Sequence, residues 1–298
     1  MLFDWARMAL NRDRAALSFE DYAFLKVRES TQLLDRLQDS PRAFDHALDL
    51  FAHTGQASEA LSSSGLVQQV TALEPSSKMR EHLGAKGIEA VDLSEQKLPF
   101  EPATFDLVVS VLGLHWANDL PGLLNQIRTI LKPDGLLQAC LFGGGTLVEL
   151  RTALIEAESE LTGGISPRLS PLPGLQDMAG LLQRAKFALP VADVERVTVR
   201  YDHPLKLMHD LKGMGEQAAF APREGQERRP LSRRLLARMS EIYFDRFSDP
   251  DGKVRASFEI VWLSGWAPAA GQPQPLRPGS GKFSLAEAVH KANEPKPD

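Results

Sequence analysis

Three acids, Asp49, Glu74 and Asp92, and a neighbouring pair, His115 and Trp116, are the positions in this sequence best suited to chemistry. Each acid closes a short apolar run, which puts all three at the ends of consecutive strands. In a nucleoside site, a carboxylate after the second strand can accept both ribose hydroxyl hydrogens. Glu74 is the sharpest candidate for that role. The bland alternative is an acid favoured by the dipole of the following helix, and the matched placement of Asp49 and Asp92 weighs against it. His115, with an unperturbed pKa of about 6.5, suits a general base or a substrate contact, and Trp116 a substrate contact. His53 can approach the same place, but two histidines without a carboxylate at ligand spacing do not make a metal site. A Ser-His-Asp triad finds no support, since no GxSxG elbow occurs.

These side chains need a sheet to hold them. Phe105 to Leu112 is an almost unbroken, valine-rich apolar run, the pattern of a strand buried on both faces. Asn118, Asp119 and Pro121 then signal a capped helix start, and Leu123, Leu124, Ile127, Ile130 and Leu131 recur at helical spacing. Lys132-Pro133-Asp134-Gly135 closes that helix. Ligands of open α/β sheets sit at the carboxyl ends of the strands, so the turn from Ser110 through Leu112 to Trp116 belongs to the site. Upstream strands are expected at Ala43 to Phe51, Val67 to Leu73 and Gly87 to Val91, and a fifth at Gly135 to Phe142. Helices fall between them, at Gln56 to Ser63 and Ser76 to Leu83. The alternation predicts a doubly wound, mostly parallel α/β sheet.

Residues 1–40 read as a helical arm able to cover the mouth of a site, and residues 41–266 as the main domain. Cap insertions are expected around 146–186 and 204–247, then an alternating strand at Ser257 to Trp266, antiparallel to the rest. The residues from 267 to 298 form a tail rich in proline and glycine. Gly163 to Gly174 contains three prolines and no helical period, the texture of a functional loop. That loop, with Arg168, and the turn from Gly213 to Glu216 are candidates for gripping a protein substrate.

With 298 residues, 43% of them hydrophobic, the chain can bury one large core with a small cap. A net charge of -5 supplies no basic excess to displace phosphate counterions, which argues against nucleic acid as a partner. The basic cluster from Arg223 to Arg234 reads as a solvated helix face. A lone cysteine, Cys140, excludes an internal disulfide and suits a reducing compartment. No apolar run approaches the roughly 20 residues of a membrane span. Arg7, Arg12 and Arg14 hint at a presequence, but Asp4 and Asp13 stand among them. The expectation is a soluble, cytoplasmic protein.

The order of Asp49-Leu50 at the first strand, an acid after the second, Asp92 after the third, FDLVVSVLGLHW at the fourth and LKPDG before the fifth resembles class I S-adenosylmethionine-dependent methyltransferases. LPFEPATFDLVVSVLGLHWANDLP, FGGGTLVELR, GGISPRLSP and DLKGMGE are similar, more specifically, to the mitochondrial complex I assembly factor 5 group and its bacterial relatives. These are in turn similar to the malonyl-carrier-protein methyltransferase of the biotin pathway. The resemblance implies a seven-stranded Rossmann-like sheet holding S-adenosylmethionine at its strand ends. The cofactor-binding residues carried over are Asp49, Phe51, His53, Gly55, Glu74, Asp92, Leu93, Ser110 and Leu112. It implies, too, a protein substrate in a complex I subunit, with arginine hydroxylation rather than methyl transfer.

One segment departs from that pattern. The family's DxGxGxG loop is here Asp49-Leu50-Phe51-Ala52-His53-Thr54-Gly55, so the last glycine alone survives. Glycine permits positive φ and brings bare backbone against a ligand. Phe51 and His53 cannot do both. Two readings stay open: an enzyme whose loop still admits the cofactor, and a non-catalytic assembly module that kept the fold and lost it.

Overall fold

The computed structural model describes residues 1–38, 42–93, 97–221 and 230–273. The strands are β1 (Phe44–Leu50), β2 (Val67–Glu74), β3 (Glu89–Asp92), β4 (Phe105–Val111), β5 (Leu131–Phe142), β6 (Ala188–Tyr201) and β7 (Val254–Trp266). They form one seven-stranded sheet in the order β3-β2-β1-β4-β5-β7-β6. β1 to β5 pair in parallel, and β7 runs antiparallel to both of its neighbours, β5 and β6. The strand order reverses between β1 and β4, and there the crevice of an open sheet lies.

Every residue of β4 is buried, as its apolar run foretold, because helices cover both faces. Alternate strand residues point to opposite faces. Ala47, Leu107, Val109 and Val111 pack toward α3 (Phe24–Gln38), α4 (Gln56–Ser64), α7 (Val148–Thr162) and α10 (Arg233–Phe247). Leu48, Leu50, Val108 and Leu137 pack toward α6 (Leu120–Ile130), α8 (Leu175–Arg184) and Met8 of α1 (Trp5–Ala15). Short-range chemistry sets the helix starts. Asp119 accepts from the Gly122 N–H ahead of α6, and Ser76 accepts from the Met79 N–H ahead of α5 (Ser77–Ala85). The small α2 (Phe19–Tyr22) joins α1 to α3, and α9 (Pro204–Gly213) follows β6.

Several boundaries differ from expectation. Lys132–Gly135 does not close α6; it is the irregular start of β5, where Asp134 takes φ 62° and accepts from Arg42. The third strand begins only at Glu89 and the last begins already at Val254. Of the basic cluster, Arg223 to Arg229 lies outside the described residues, while Arg233 and Arg234 open α10. Met1–Pro268 form one compact unit. In the short stretch beyond it, the Ala269 N–H donates to the Gln272 side chain at 3.0 Å. Among the described residues, no helix is long and apolar enough to cross a membrane.

Candidate active site

The turn after β1 enters the crevice with its backbone in glycine-like conformations. Phe51 has φ 62°, His53 φ 55° and Gly55 φ 99°, and across the crevice Leu112 has φ 50°. Left-handed backbone costs a residue with a Cβ about 1–2 kcal/mol. Three such residues in one crevice mark a place where packing overrules local preference. Phe51 and His53 therefore keep the backbone path of the glycines they replace and add side chains to it.

Those side chains are buried. Phe51 is wholly covered and meets the Trp5 ring edge-on at 6.0 Å between centroids. A Cβ on Gly113 would come within 2.3 Å of the Phe51 Cβ, so glycine at 113 makes room for the phenylalanine. His53 stacks on Phe19 at 5.1 Å, and its backbone N–H donates to Glu74 Oε2 at 3.0 Å.

Glu74 is fully buried and its carboxylate is committed. Besides His53, it accepts from the Ser76 N–H at 3.0 Å and pairs with Arg12 Nη1 at 2.8 Å, both side chains 0% exposed. The Arg12 guanidinium also lies 5.4 Å from the centre of the Phe51 ring. Arg12 Nε and Nη2 have no partner among the described residues.

Asp49 is likewise buried. One oxygen accepts from Ser58 Oγ at 2.7 Å, the other has no partner among the described residues, and burial raises its carboxyl above the usual range against the pull of Lys26. Asp92 is not brought into this group. Its side chain is 53% exposed and paired with Arg80. Leu93 is buried, and its carbonyl accepts from Trp5 Nε1 at 3.2 Å. Ser110 donates to the Leu50 carbonyl at 2.7 Å and so ties β4 to β1.

At the switch point itself sits an ammonium. Lys26 Nζ of α3 donates to the carbonyls of Phe51 at 2.8 Å and Val111 at 3.0 Å, and lies 2.6 Å from His53 Nδ1. Burial lowers the Lys26 pKa to about 8. Burial, with the charges of Arg12 and Lys26 behind it, drives His53 well below its ordinary value. His53 is therefore neutral, and its Nδ1 lies within hydrogen-bond reach of both the Lys26 ammonium at 2.6 Å and the Phe51 carbonyl at 2.8 Å.

A second cluster lies on the other side of Lys26. The Glu216 carboxylate accepts from His115 Nε2 at 3.0 Å and from Trp116 Nε1 at 3.1 Å. Burial pushes Glu216 up, but His115, Arg12 and Trp116 outweigh it and hold the carboxyl below the usual range. His115 packs against Phe142 at 5.0 Å, and its Nδ1 is buried without a partner. A hollow lined by Phe19, Tyr22, Lys26, His53, Leu112 and Glu216 separates the clusters. Water centres reach about 20 Å³ of it, room for about one or two waters.

Arg168 belongs elsewhere. It forms an ion pair with Glu158 at 2.6 Å, the two side chains 13% and 2% exposed, and Glu158 also accepts from the Ser166 N–H. That pair staples the proline-rich loop to α7. The glycines of the Gly213–Glu216 turn face the protein's own arm: a Cβ on Gly213 would strike the Tyr22 ring at 2.2 Å, and one on Gly215 would press on Arg12.

Sequence reasoning missed Trp5, Arg12 and Lys26. A signal was present. Met8, Asn11, Arg12 and Ala15 are the buried stripe of α1, and Leu25, Lys26, Glu29, Ser30, Leu33 and Leu37 that of α3. A cation set on the apolar stripe of a helix needs a buried partner.

An open α/β sheet with acids and polar backbone gathered at its switch point defines a protein of the methyltransferase-fold class, and the Methyltransferase domain family matches residues 48–139. The YcgJ protein of Bacillus subtilis shares this fold with a TM-score of 0.54 at 15% identity, over 81% of this chain and 99% of that one. Arginine-hydroxylase NDUFAF5, mitochondrial, of Danio rerio is 36% identical over 286 residues, 95% of this chain and 85% of that protein. The malonyl-[acyl-carrier protein] O-methyltransferase of Methylovorus sp. (strain MP688) is 32% identical over 282 residues, 90% of this chain and 91% of that protein. The chain belongs to the family of methyltransferase-fold proteins that includes NDUFAF5.

Among the described residues, the groups that would receive S-adenosylmethionine are engaged by the protein's own side chains in this arrangement. The acid for its ribose is held by Arg12, and the carbonyls at the switch point are held by Lys26, so a ligand of either the crevice or the adjoining hollow needs these contacts to open.

Proposed function

We infer that this chain is an enzyme of the methyltransferase fold that modifies a protein side chain, with arginine as the substrate group, during assembly of respiratory complex I. The observation that carries the reading is the Glu216 carboxylate held by His115 and Trp116 beside the hollow. A guanidinium is recognised by a fixed carboxylate and by flat aromatic walls, and Phe19, Tyr22 and Phe142 line this hollow. Similarity to the arginine-hydroxylase NDUFAF5 supports arginine, and the resemblance of the LHW and DLKGMGE motifs to the complex I assembly group supports the partner. In this reading Glu216 binds and orients the substrate. His115, whose Nε2–H is spent on Glu216, offers Nδ1 to receive a proton from it. Trp116 fixes the carboxylate. S-adenosylmethionine is the proposed cofactor of the opened crevice, and the buried Cys140 suits a cytoplasmic setting.

A second reading, a non-catalytic assembly module, is favoured by the filled crevice. Calorimetric titration of the full chain with S-adenosylmethionine, and mass spectrometry of arginine peptides from complex I subunits incubated with it, separate the two. A gain of one methylene with S-adenosylmethionine, or of one oxygen when dioxygen and a two-electron reductant are also supplied, lost in His115→Asn, supports the enzyme. Unmodified arginine and no cofactor binding support the module.

A further inference from the structure

The closed crevice is filled by the protein itself, and the filling follows the stations a nucleoside ligand of such a sheet would use. At the switch point, where β1 and β4 end side by side, two backbone carbonyls converge on Lys26 Nζ at 2.8 and 3.0 Å. After β2, the carboxylate suited to a diol is bound by Arg12 Nη1 at 2.8 Å. After β3, the Leu93 carbonyl is bound by the Trp5 indole N–H at 3.2 Å. All three donors come from residues 1–38, on α1 and α3.

The fit is incomplete in a telling way. Among the described residues, Arg12 Nε and Nη2 on the arm, and Asp49 Oδ1 and His115 Nδ1 beside it, are buried without partners, whereas most polar groups in permanent cores are paired. The backbone at Phe51, His53 and Leu112 is held left-handed. The arm is nonetheless well fastened at its outer end. The Asp4 N–H donates to the Ala219 carbonyl at 2.7 Å, the Ala221 N–H to the Leu2 carbonyl at 2.9 Å, and the Phe3 N–H to Asn118 Oδ1 at 2.8 Å. The inner face is held through side chains, Asp13 accepting from Ser76 Oγ at 2.6 Å and Glu20 from Thr54 Oγ1 at 2.8 Å, so those contacts can part while the backbone-bonded outer end stays attached.

We propose that the N-terminal arm is a displaceable internal surrogate ligand: Trp5, Arg12 and Lys26 occupy the three strand-end stations, and cofactor entry and release of the arm's inner face are one event. This rests on the cofactor reading above. It also separates two roles for Lys26, because a lid lysine grips the ligand while a surrogate lysine competes with it.

The test uses the full chain. S-adenosylmethionine is titrated by calorimetry into wild type, Lys26→Ala and Arg12→Gln, and hydrogen exchange of residues 1–38 is followed with and without it. Surrogacy predicts binding about tenfold tighter or more in Lys26→Ala, and faster exchange of the inner turns of α1 and α3 in ligand-loaded wild type. Weaker binding in Lys26→Ala with slower exchange of the arm overturns the proposal and leaves the cofactor reading standing. Should no form bind S-adenosylmethionine, the cofactor reading falls, and ethylammonium chloride then decides the fate of the Lys26 assignment. A saturable rise in the melting temperature of Lys26→Ala, absent in wild type and with ethanol, keeps Lys26 as a stand-in for a free primary ammonium. No rise removes it.

Discussion

Replacing Glu74 with glutamine strips the carboxylate from a guanidinium that is 0% exposed. Taking one partner from a buried ion pair leaves an uncompensated charge and costs about 3–5 kcal/mol. The bonds from His53 and Ser76 survive as bonds to a neutral amide, so they change that figure little. For a unit ending at Pro268, each kcal/mol moves the melting temperature by about 2–4 °C, which sets the expected fall at about 6–20 °C. The double variant Arg12→Met/Glu74→Gln removes the stranded charge as well as its partner. Exchange of a buried pair for apolar groups is often near neutral, so most of the lost stability should return. Urea unfolding of the four members of this cycle at pH 7 measures the coupling, expected to be about 2 kcal/mol or more. If Glu74→Gln loses under about 1 kcal/mol, or the two substitutions simply add, Arg12 and Glu74 are not a desolvated pair and the account of the closed crevice fails.

Lys26 should make stability depend on pH in an unusual direction. Its folded pKa of about 8 lies below the ordinary 10.5, so between those values the unfolded chain binds more protons and stability rises with pH. The penalty, about 3 kcal/mol at neutral pH, is relieved across that window, and wild type should gain that much relative to Lys26→Met between pH 7 and 10.5; a flat difference refutes it. Gly113→Ala should destabilise by about 1–3 kcal/mol through overpacking, because its Cβ would lie 2.3 Å from that of Phe51; the loss should largely vanish in a Phe51→Gly background, as denaturant titration can show. Burial pushes the Cys140 thiol up, so it should resist a disulfide reagent in the native protein and react once in denaturant; rapid native labelling would show that β5 is open.

The sheet was legible because its central strand β4 is buried on both faces and helices such as α6 carry caps. The run from Phe105 to Val111 and the sequence Asp119–Pro121 announce one of each. The start of β5 was misread because Lys132–Gly135 has the composition of a helix stop. Its role as an irregular strand entry depends on Arg42, far off in the chain. Of the site, Glu74, His115, Trp116 and Glu216 were legible as polar residues at strand ends and turns, and the structure joins the last three in one hydrogen-bonded group. Asp92 shares their sequence signature and stays half in water, because β3 is a short edge strand and Arg80 is at hand. The arm's part was not read, since helical periodicity reports that a face is buried but not what it is buried against.

The glycines of this chain argue that its closed form is adapted rather than decayed. A loop that merely lost its glycines would relax from left-handed backbone, yet Phe51 and His53 hold φ 62° and 55°. Glycine stands instead where the incoming bulk requires it: Gly113 against Phe51, Gly213 against Tyr22 and Gly215 against Arg12. The contacts of Gly213 with Tyr22 and Gly215 with Arg12 seat the arm against the turn that carries Glu216 to His115 and to the edge of the hollow that Lys26 lines. Any ligand that lifts the arm must therefore disturb the neighbours of Glu216, so the cofactor crevice and the proposed guanidinium site share one set of contacts and cannot be occupied independently.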